Sequence, residues 1–197
     1  MKKISLLVTL GFLYFGGALA QEPVKKGNFT FLEGQKTLNI EFKYDGMTIN
    51  KNKESEEDYV NSRVDKLNKK KSGKGDEFAE QWISGRSESY EPRFLTNFNE
   101  FTKKGKIQGG SFPDSEITLV VTSTQLWPGV NLSTPCYLFS TYTFINTQTR
   151  EEIATYKLDK VYVSNSKVTK LDYVNRVSQT YEQSAKVLGK AIVDDIK

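Results

Sequence analysis

The sequence has no histidine and only one cysteine, Cys136, among its 197 residues. Without histidine, the chain lacks the side chain that most often serves as a general base near neutral pH and as a metal ligand. Serine–histidine and cysteine–histidine catalytic pairs are therefore excluded. A single cysteine forms no disulfide within the chain, so stability has to come from a buried core. We expect Cys136, which follows a proline at the start of a predicted strand, to be a small buried apolar side chain.

Long apolar runs are missing after residue 20, and the N-terminal run is short. Lys2 and Lys3 precede an apolar stretch over residues 4–15, and Ala18-Leu19-Ala20 supplies the small residues of a signal-peptidase site. The stretch is shorter than the roughly 20 residues that span a bilayer. The pattern predicts a signal peptide over residues 1–20, cleaved after Ala20, with no lipidated cysteine at the cleavage point. We expect an exported chain, periplasmic or extracellular, without a transmembrane span after cleavage.

A strong excess of charge is missing as well. The full chain has 28 basic and 24 acidic residues, and residues 1–20 contain two lysines and no acids, so the cleaved chain has a net charge of +2. This excess is too small to indicate a nucleic-acid partner. The one dense carboxylate run, ESEED (54–58), lacks the spacing of a calcium loop. The basic run KKKSGKG (69–75) lacks the spacing of a phosphate loop. We therefore expect no metal, no cofactor and a solvated helix end at the lysine run.

Four segments have the composition of strands, with many Val, Ile, Thr, Tyr and Phe residues. They are residues 37–49, 117–126, 137–145 and 153–163. The first alternates apolar and polar residues and is predicted to have one wet side. The segment 137–145 is apolar on both faces and is predicted to be central. In the last segment, alternation predicts that Ala154, Tyr156, Leu158 and Tyr162 share one side.

Three segments have helical periodicity. Residues 54–70 begin with acids and end with lysines, which complements a helix dipole. Residues 76–104 carry aromatic side chains at mostly three- and four-residue steps, and Pro92 should break this helix near Glu91. Residues 171–196 form the most regular pattern, and residues 21–36 are predicted to be a loose lead-in with Phe29, Phe31 and Leu32 as possible anchors. The sequence therefore predicts one α+β domain over residues 37–197: a sheet of about four strands, in β-α-α-β-β-β-α order, covered by helices.

This order, with the segments FINTQTREEIATYKL (144–158) and YEQSAKVLGKAIVDDIK (181–197), resembles the small periplasmic α/β domains of the TolB amino-terminal type. Similar domains occur in the curli secretion channel and in lipoprotein activators of penicillin-binding proteins. Two features differ from that group, since the turn at 147–152 has no glycine and the chain has no lipidated cysteine. The resemblance implies a non-enzymatic envelope module that binds other proteins, and it transfers no catalytic residue.

The sequence favours a protein-binding or assembly module whose partner is another envelope protein. The connection LWPGVNLSTPC (126–136) is long for a hairpin and places Trp127, Val130 and Leu132 in a loop. Apolar loop residues on an exported protein indicate a contact surface. The alternative is that Trp127 folds back and caps the core.

Two other functions stay open at the level of sequence. One is a secreted hydrolase that uses carboxylates such as Glu88, Glu91 and Glu100, although surface glutamates are the simpler interpretation. The other is a small-ligand carrier with a pocket between the aromatic helix and the sheet. We predict a non-enzymatic protein with no catalytic residue.

Overall fold

A computed structural model describes residues 24–26, 28–129, 134–163 and 172–196. The predicted signal peptide over residues 1–20 lies outside these ranges. None of the helices in the described ranges is both long and apolar enough to cross a membrane.

The eight described strands form a single mixed sheet in the order β1 (Val24–Lys26), β8 (Glu152–Val163), β7 (Cys136–Asn146), β6 (Ile117–Trp127), β2 (Thr37–Lys43) and β5 (Gln108–Gly110); β3 (Thr48–Ile49) pairs with β6 and with β4 (Glu54–Ser55) beside this path. Four long strands make up most of it: β2, β6, β7 and β8. The short strands are β1, β3, β4 and β5. Strand β2 runs parallel to β6, whereas β6, β7 and β8 form an antiparallel meander. The long strands are the four predicted from sequence, and β7 lies between β6 and β8.

Four α-helices accompany the sheet: α1 (Glu56–Lys70), α2 (Lys74–Gly85), α3 (Glu91–Thr102) and α4 (Tyr173–Asp195). Helix α1 begins at Ser55, whose hydroxyl oxygen accepts a hydrogen bond from the Asp58 amide at 3.0 Å. Asp172 caps α4 in the same way, through the Asn175 amide at 3.1 Å. One sheet covered by helices confirms the predicted α+β class.

The core lies between the sheet and helices α3 and α4. The ring of Phe94 packs edge-on against Phe42 of β2 at 5.5 Å and stacks on Tyr142 of β7 at 6.1 Å. Phe98 stacks on Phe94 at 5.9 Å, and both rings are fully buried. The aromatic stripe therefore fills the interface where the carrier hypothesis requires a pocket.

Pro92 ends the predicted long helix near Glu91, and the break takes the form of a π-helical segment over Arg86–Tyr90. Proline has no N–H to donate to the preceding turn, and its ring crowds the carbonyl four residues back. A wider turn relieves that conflict. Pro92 then occupies the first turn of α3, where a missing donor costs little.

Residues 28–36 are more tightly packed than the predicted loose lead-in. Phe29 is 1% exposed and its ring contacts Phe144 at 5.4 Å, and Leu32 is fully buried. The Phe29 amide donates to the Asp195 carboxylate at the end of α4, at 2.9 Å. Although the segment is polar in composition, its apolar residues Phe29 and Leu32 are buried in the core and anchor it there.

Candidate functional site

The second face of the sheet points away from the core, and we call it the open face. In strands β2, β6 and β7 it carries the residues that alternate with the core residues, for example Glu41, Thr122, Thr141 and Thr143. These side chains are partly exposed. An antiparallel sheet with one face exposed to solvent is expected to be polar on that face.

Two β-bulges interrupt the alternation at one level of the sheet. In β6, Ser123 pairs with Ser140 and Gln125 pairs with Phe139, which leaves Thr124 as an extra residue. In β8, Leu158 pairs with Ser140 and Val161 pairs with Leu138, so two residues, Asp159 and Lys160, face the single Phe139. Each extra residue moves the rest of its strand to the opposite face.

The consequence is an aromatic cluster on the open face, beyond the bulges. Trp127 of β6 and Tyr162 of β8 both pair with Tyr137 of β7, and Phe139 follows on the same face of β7. The centre of the Trp127 ring lies 5.3 Å from that of Tyr137 and 5.6 Å from that of Phe139, and the ring centres of Tyr137 and Tyr162 are 6.0 Å apart. We call these four residues the aromatic patch.

The aromatic patch is partly open to solvent. Tyr162 is 53% exposed, and Trp127, Tyr137 and Phe139 are half-buried. The Lys160 ammonium lies 5.3 Å from the centre of the Tyr137 ring, a cation–π contact. The Trp127 indole N–H is screened from solvent and has no acceptor among the residues that the structure describes.

Trp127 was predicted to lie in a loop, and it is instead the last residue of β6. Its side chain does not fold back over the helix-covered core, because the Thr124 bulge directs it to the open face. Val130 and Leu132, the other two predicted contact residues, lie outside the described ranges. Tyr137, Phe139 and Tyr162 were missed as site residues, because their joint position depends on strand pairing.

An ion pair lies across the other end of the open face. Arg150, in the turn between β7 and β8, donates to both carboxylate oxygens of Glu41 on β2, at 2.9 and 2.8 Å. This hydrogen-bonded pair holds the pKa of Glu41 below its ordinary value. The pair reaches over β6, where Thr118 and Val120 are buried on the same face.

The carboxylates of the hydrolase hypothesis do not share a site. Glu88 lines a cavity between α2 and the start of α4, and Glu100 lines a different cavity between α3 and α4. Glu91 accepts a hydrogen bond from the Tyr44 hydroxyl at 3.1 Å. Burial raises the pKa of Tyr44, with the negative charge of Glu91 contributing, so this phenol stays protonated.

Cys136 is buried at the start of β7. Burial raises the pKa of its thiol to about 12, although the nearby Arg176 guanidinium opposes the shift. The thiol is protonated at neutral pH and shielded, as expected of an apolar core residue. Across the described ranges, no three or more histidine, cysteine, aspartate or glutamate side chains are grouped so that they could hold a metal ion.

No family model matches the chain, and no curated protein matches it. Solved structures with a related arrangement include a PelC dodecamer from Paraburkholderia phytofirmans, at 4% identity and a TM-score of 0.43, covering 83% of this chain and 96% of that chain. A putative neuraminyllactose-binding hemagglutinin homolog from Helicobacter pylori has 10% identity and a TM-score of 0.38, covering 87% and 88%. A DUF330 protein from Xanthomonas campestris has 14% identity and a TM-score of 0.33, covering 46% and 53%.

These identities and TM-scores are too low to assign a family or a function to the chain. None of the three structures is described as a TolB, curli-channel or activator domain. The resemblance to that group therefore stays a prediction from sequence.

Proposed function

We propose that the chain is an exported, non-enzymatic module of the cell envelope that binds another envelope protein through the aromatic patch. The observation that carries the proposal is the pair of bulges opposite Phe139, which brings Trp127 and Tyr162 to the open face beside Tyr137. The export pattern of residues 1–20 supports the location.

The composition of the aromatic patch supports a protein partner. Tryptophan and tyrosine are the side chains most enriched among residues that dominate binding energy, since their rings bury a large area at a small entropic cost. Polar residues lie beside the rings on the side of the bulges: Lys160 and Asp159 on β8 and Thr124 on β6. Rings at the centre with polar groups at the edge are typical of a specific protein interface.

The bulges also favour a function for this surface, because each leaves a residue unpaired in the ladder and bulges are over-represented beside functional sites. Without them, alternation would place Trp127 and Tyr162 on the core side of their strands. Instead Leu126 and Val161 face the core cluster, and the two larger aromatic side chains face outward.

The experiment is site-specific photo-crosslinking in intact cells. A photoreactive residue at position 162 samples the aromatic patch, and one at position 83 is the matched control, since Tyr162 and Ile83 are 53% and 55% exposed. We expect a discrete adduct with one partner from position 162, none from position 83, and loss of the adduct when Trp127→Ala is added. An adduct of equal yield from both positions would contradict the proposal.

A further inference from the structure

A cleft lies on the helical side of the molecule, between α2, the π segment and the start of α4. This α2–α4 cleft has a volume of about 480 Å³. Aromatic rings and carboxylates line it: Phe78, Trp82, Tyr90, Tyr173, Glu88 and Asp172.

The π segment is what brings Tyr90 to the cleft. In a continuous α-helix, two residues eight positions apart, such as Trp82 and Tyr90, differ by about 80° around the axis. A π turn accommodates about one extra residue, which reduces the difference to roughly 20° in the other sense. Trp82 and Tyr90 therefore line the same wall, although a helix break separates them.

Tyr90 is a largely buried residue that lines the cleft. The residue is 4% exposed, its ring stacks on Tyr181 at 5.4 Å, and its hydroxyl has no hydrogen-bond partner in the described part of the chain. The hydroxyl lies against Gly85, where a Cβ atom would be only 3.0 Å from it. Because the hydroxyl has no partner among the described residues, a ligand in the cleft can bond to it without breaking a hydrogen bond within the protein.

The charged residues that line the cleft are both acidic. Glu88 and Asp172 lie on its rim, both exposed, and none of the described lining residues is basic. Burial raises the pKa of Tyr90; the Asp172 carboxylate adds to this shift, and the Arg86 guanidinium opposes it. The phenol remains neutral and can donate or accept.

Two arginines lie near the cleft but outside its lining, and both already have partners within the protein. Arg86 donates to the Glu56 carboxylate at 2.5 Å and stacks over the Tyr44 ring at 4.3 Å. Arg63 donates to the Tyr173 hydroxyl at 2.5 Å and lies over the rings of Phe78 and Tyr173, outside the cleft lining. The cleft itself combines aromatic faces, an acceptor hydroxyl and two carboxylates.

We propose that the α2–α4 cleft binds a small organic cation, an ammonium group carried on an apolar body. The apolar body packs on the rings of Phe78 and Trp82, and the ammonium donates to the Tyr90 oxygen and to the carboxylates of Asp172 and Glu88. An anion finds no positive group in the described lining. This proposal is independent of the aromatic patch, since the two surfaces share no residue.

The test uses fluorescence, because Trp82 and Trp127 are the only tryptophans. In a Trp127→Phe chain, Trp82 in the cleft is the single reporter. The probes are phenethylamine, 2-phenylethanol and 3-phenylpropanoate, which share a 2-phenylethyl group and are cationic, neutral and anionic, respectively. We expect a saturable change with phenethylamine, at least about tenfold weaker binding of the alcohol, and no binding of the anion. Calorimetric titration of the unsubstituted chain should give the same affinity for phenethylamine.

Three variants locate the binding. Tyr90→Phe keeps the stacked ring and removes the hydroxyl. Asp172→Asn removes the charge and keeps a residue that caps α4 equally well. Glu88→Gln removes the charge at an exposed position. We expect phenethylamine affinity to fall by about 3- to 10-fold in each. A Lys190→Gln chain, altered at a distant cavity, is the control and should bind normally. Equal binding of all three probes, no saturable binding by either method, or unchanged affinity in all three variants would overturn the proposal.

Discussion

Thr124 and Lys160 lie on the two strands that flank Phe139, and each belongs to a β-bulge opposite that one residue. The Thr124 hydroxyl donates to the Phe139 carbonyl at 3.1 Å, and Lys160 has a left-handed backbone with φ of 62°. Because both bulges occur at the same level, the outer strands change face together. The aromatic patch depends on this coincidence.

The backbone of Lys160 gives the first prediction. A left-handed conformation is strained for a β-branched residue, so Lys160→Val should lower the free energy of unfolding by about 1–2 kcal/mol. Lys160→Gly should stay within about 0.5 kcal/mol of the natural chain, because relief of strain offsets the lost contact with the Tyr137 ring.

Urea denaturation measures these changes. Lys157→Val is the matched control, on the same strand and exposed, and should change stability by less than about 0.5 kcal/mol. Equal effects of valine at positions 157 and 160 would show that the bulge conformation is not retained in solution.

The ion pair across the open face gives a pH-dependent prediction. The pKa of Glu41 is lowered in the folded chain by its hydrogen bonds to Arg150, so the pair stabilises the fold above the ordinary pKa of a glutamate. That stability is lost as pH falls through the lowered pKa. Between about pH 6 and pH 3, Glu41→Gln should therefore lose less stability than the natural chain.

The measurement is the urea midpoint at several pH values in that window. Glu33→Gln, at an exposed glutamate, serves as the control and should follow the natural chain. A Glu41→Gln profile parallel to that of the natural chain would mean that the pair does not form in solution.

A buried hydroxyl pair links helix α4 to the sheet. The hydroxyls of Tyr181 and Ser123 are 2.6 Å apart, and both residues are buried. Tyr181→Phe or Ser123→Ala should each cost about 1–2 kcal/mol, since each leaves a buried hydroxyl without its partner. The double variant should cost less than the sum of the two, with a coupling of about 1 kcal/mol in a double-mutant cycle. Strict additivity would argue against the bond.

Gly75 marks the closest approach of α1 and α2. A Cβ atom there would overlap the backbone carbonyl of Val64, and the Gly75 amide donates to the Asn68 side chain at 2.7 Å. Gly75→Ala should destabilise the chain by about 2–4 kcal/mol, because the clash is with backbone. Ser72→Ala, in the exposed turn between the helices, should change thermal stability little. A Gly75→Ala chain of natural stability would contradict this helix packing.

The sequence predicted the elements of the fold well, because their periodicity is set by burial on one side. The four long strands and the three helical regions carry that pattern directly. The helix break before Pro92 was also predictable from sequence, since the missing proline N–H removes a hydrogen bond within the same helix. The tight packing of Phe29 was harder to predict, because a few apolar residues in a polar segment show no periodicity.

The sequence could not predict the aromatic patch, because face assignment rests on unbroken alternation. Tyr162 was placed on the side of Tyr156 and Leu158, and the structure places it on the opposite face. One bulge residue reverses every later position of a strand, and a bulge depends on pairing with a neighbouring strand. Lys160 has a left-handed backbone, a conformation that glycine and asparagine usually adopt, so a lysine at this position does not indicate it.

The central claim, that the aromatic patch is the binding surface, is tested most directly by affinity. The partner identified by crosslinking from position 162 is purified and titrated calorimetrically against three chains: the natural chain, Tyr162→Ala and Ile83→Ala. Tyr162 and Ile83 are similarly exposed and lie on different faces, so they are a matched pair. The account predicts at least about tenfold weaker binding for Tyr162→Ala and unchanged binding for Ile83→Ala. Unchanged binding for Tyr162→Ala would contradict it.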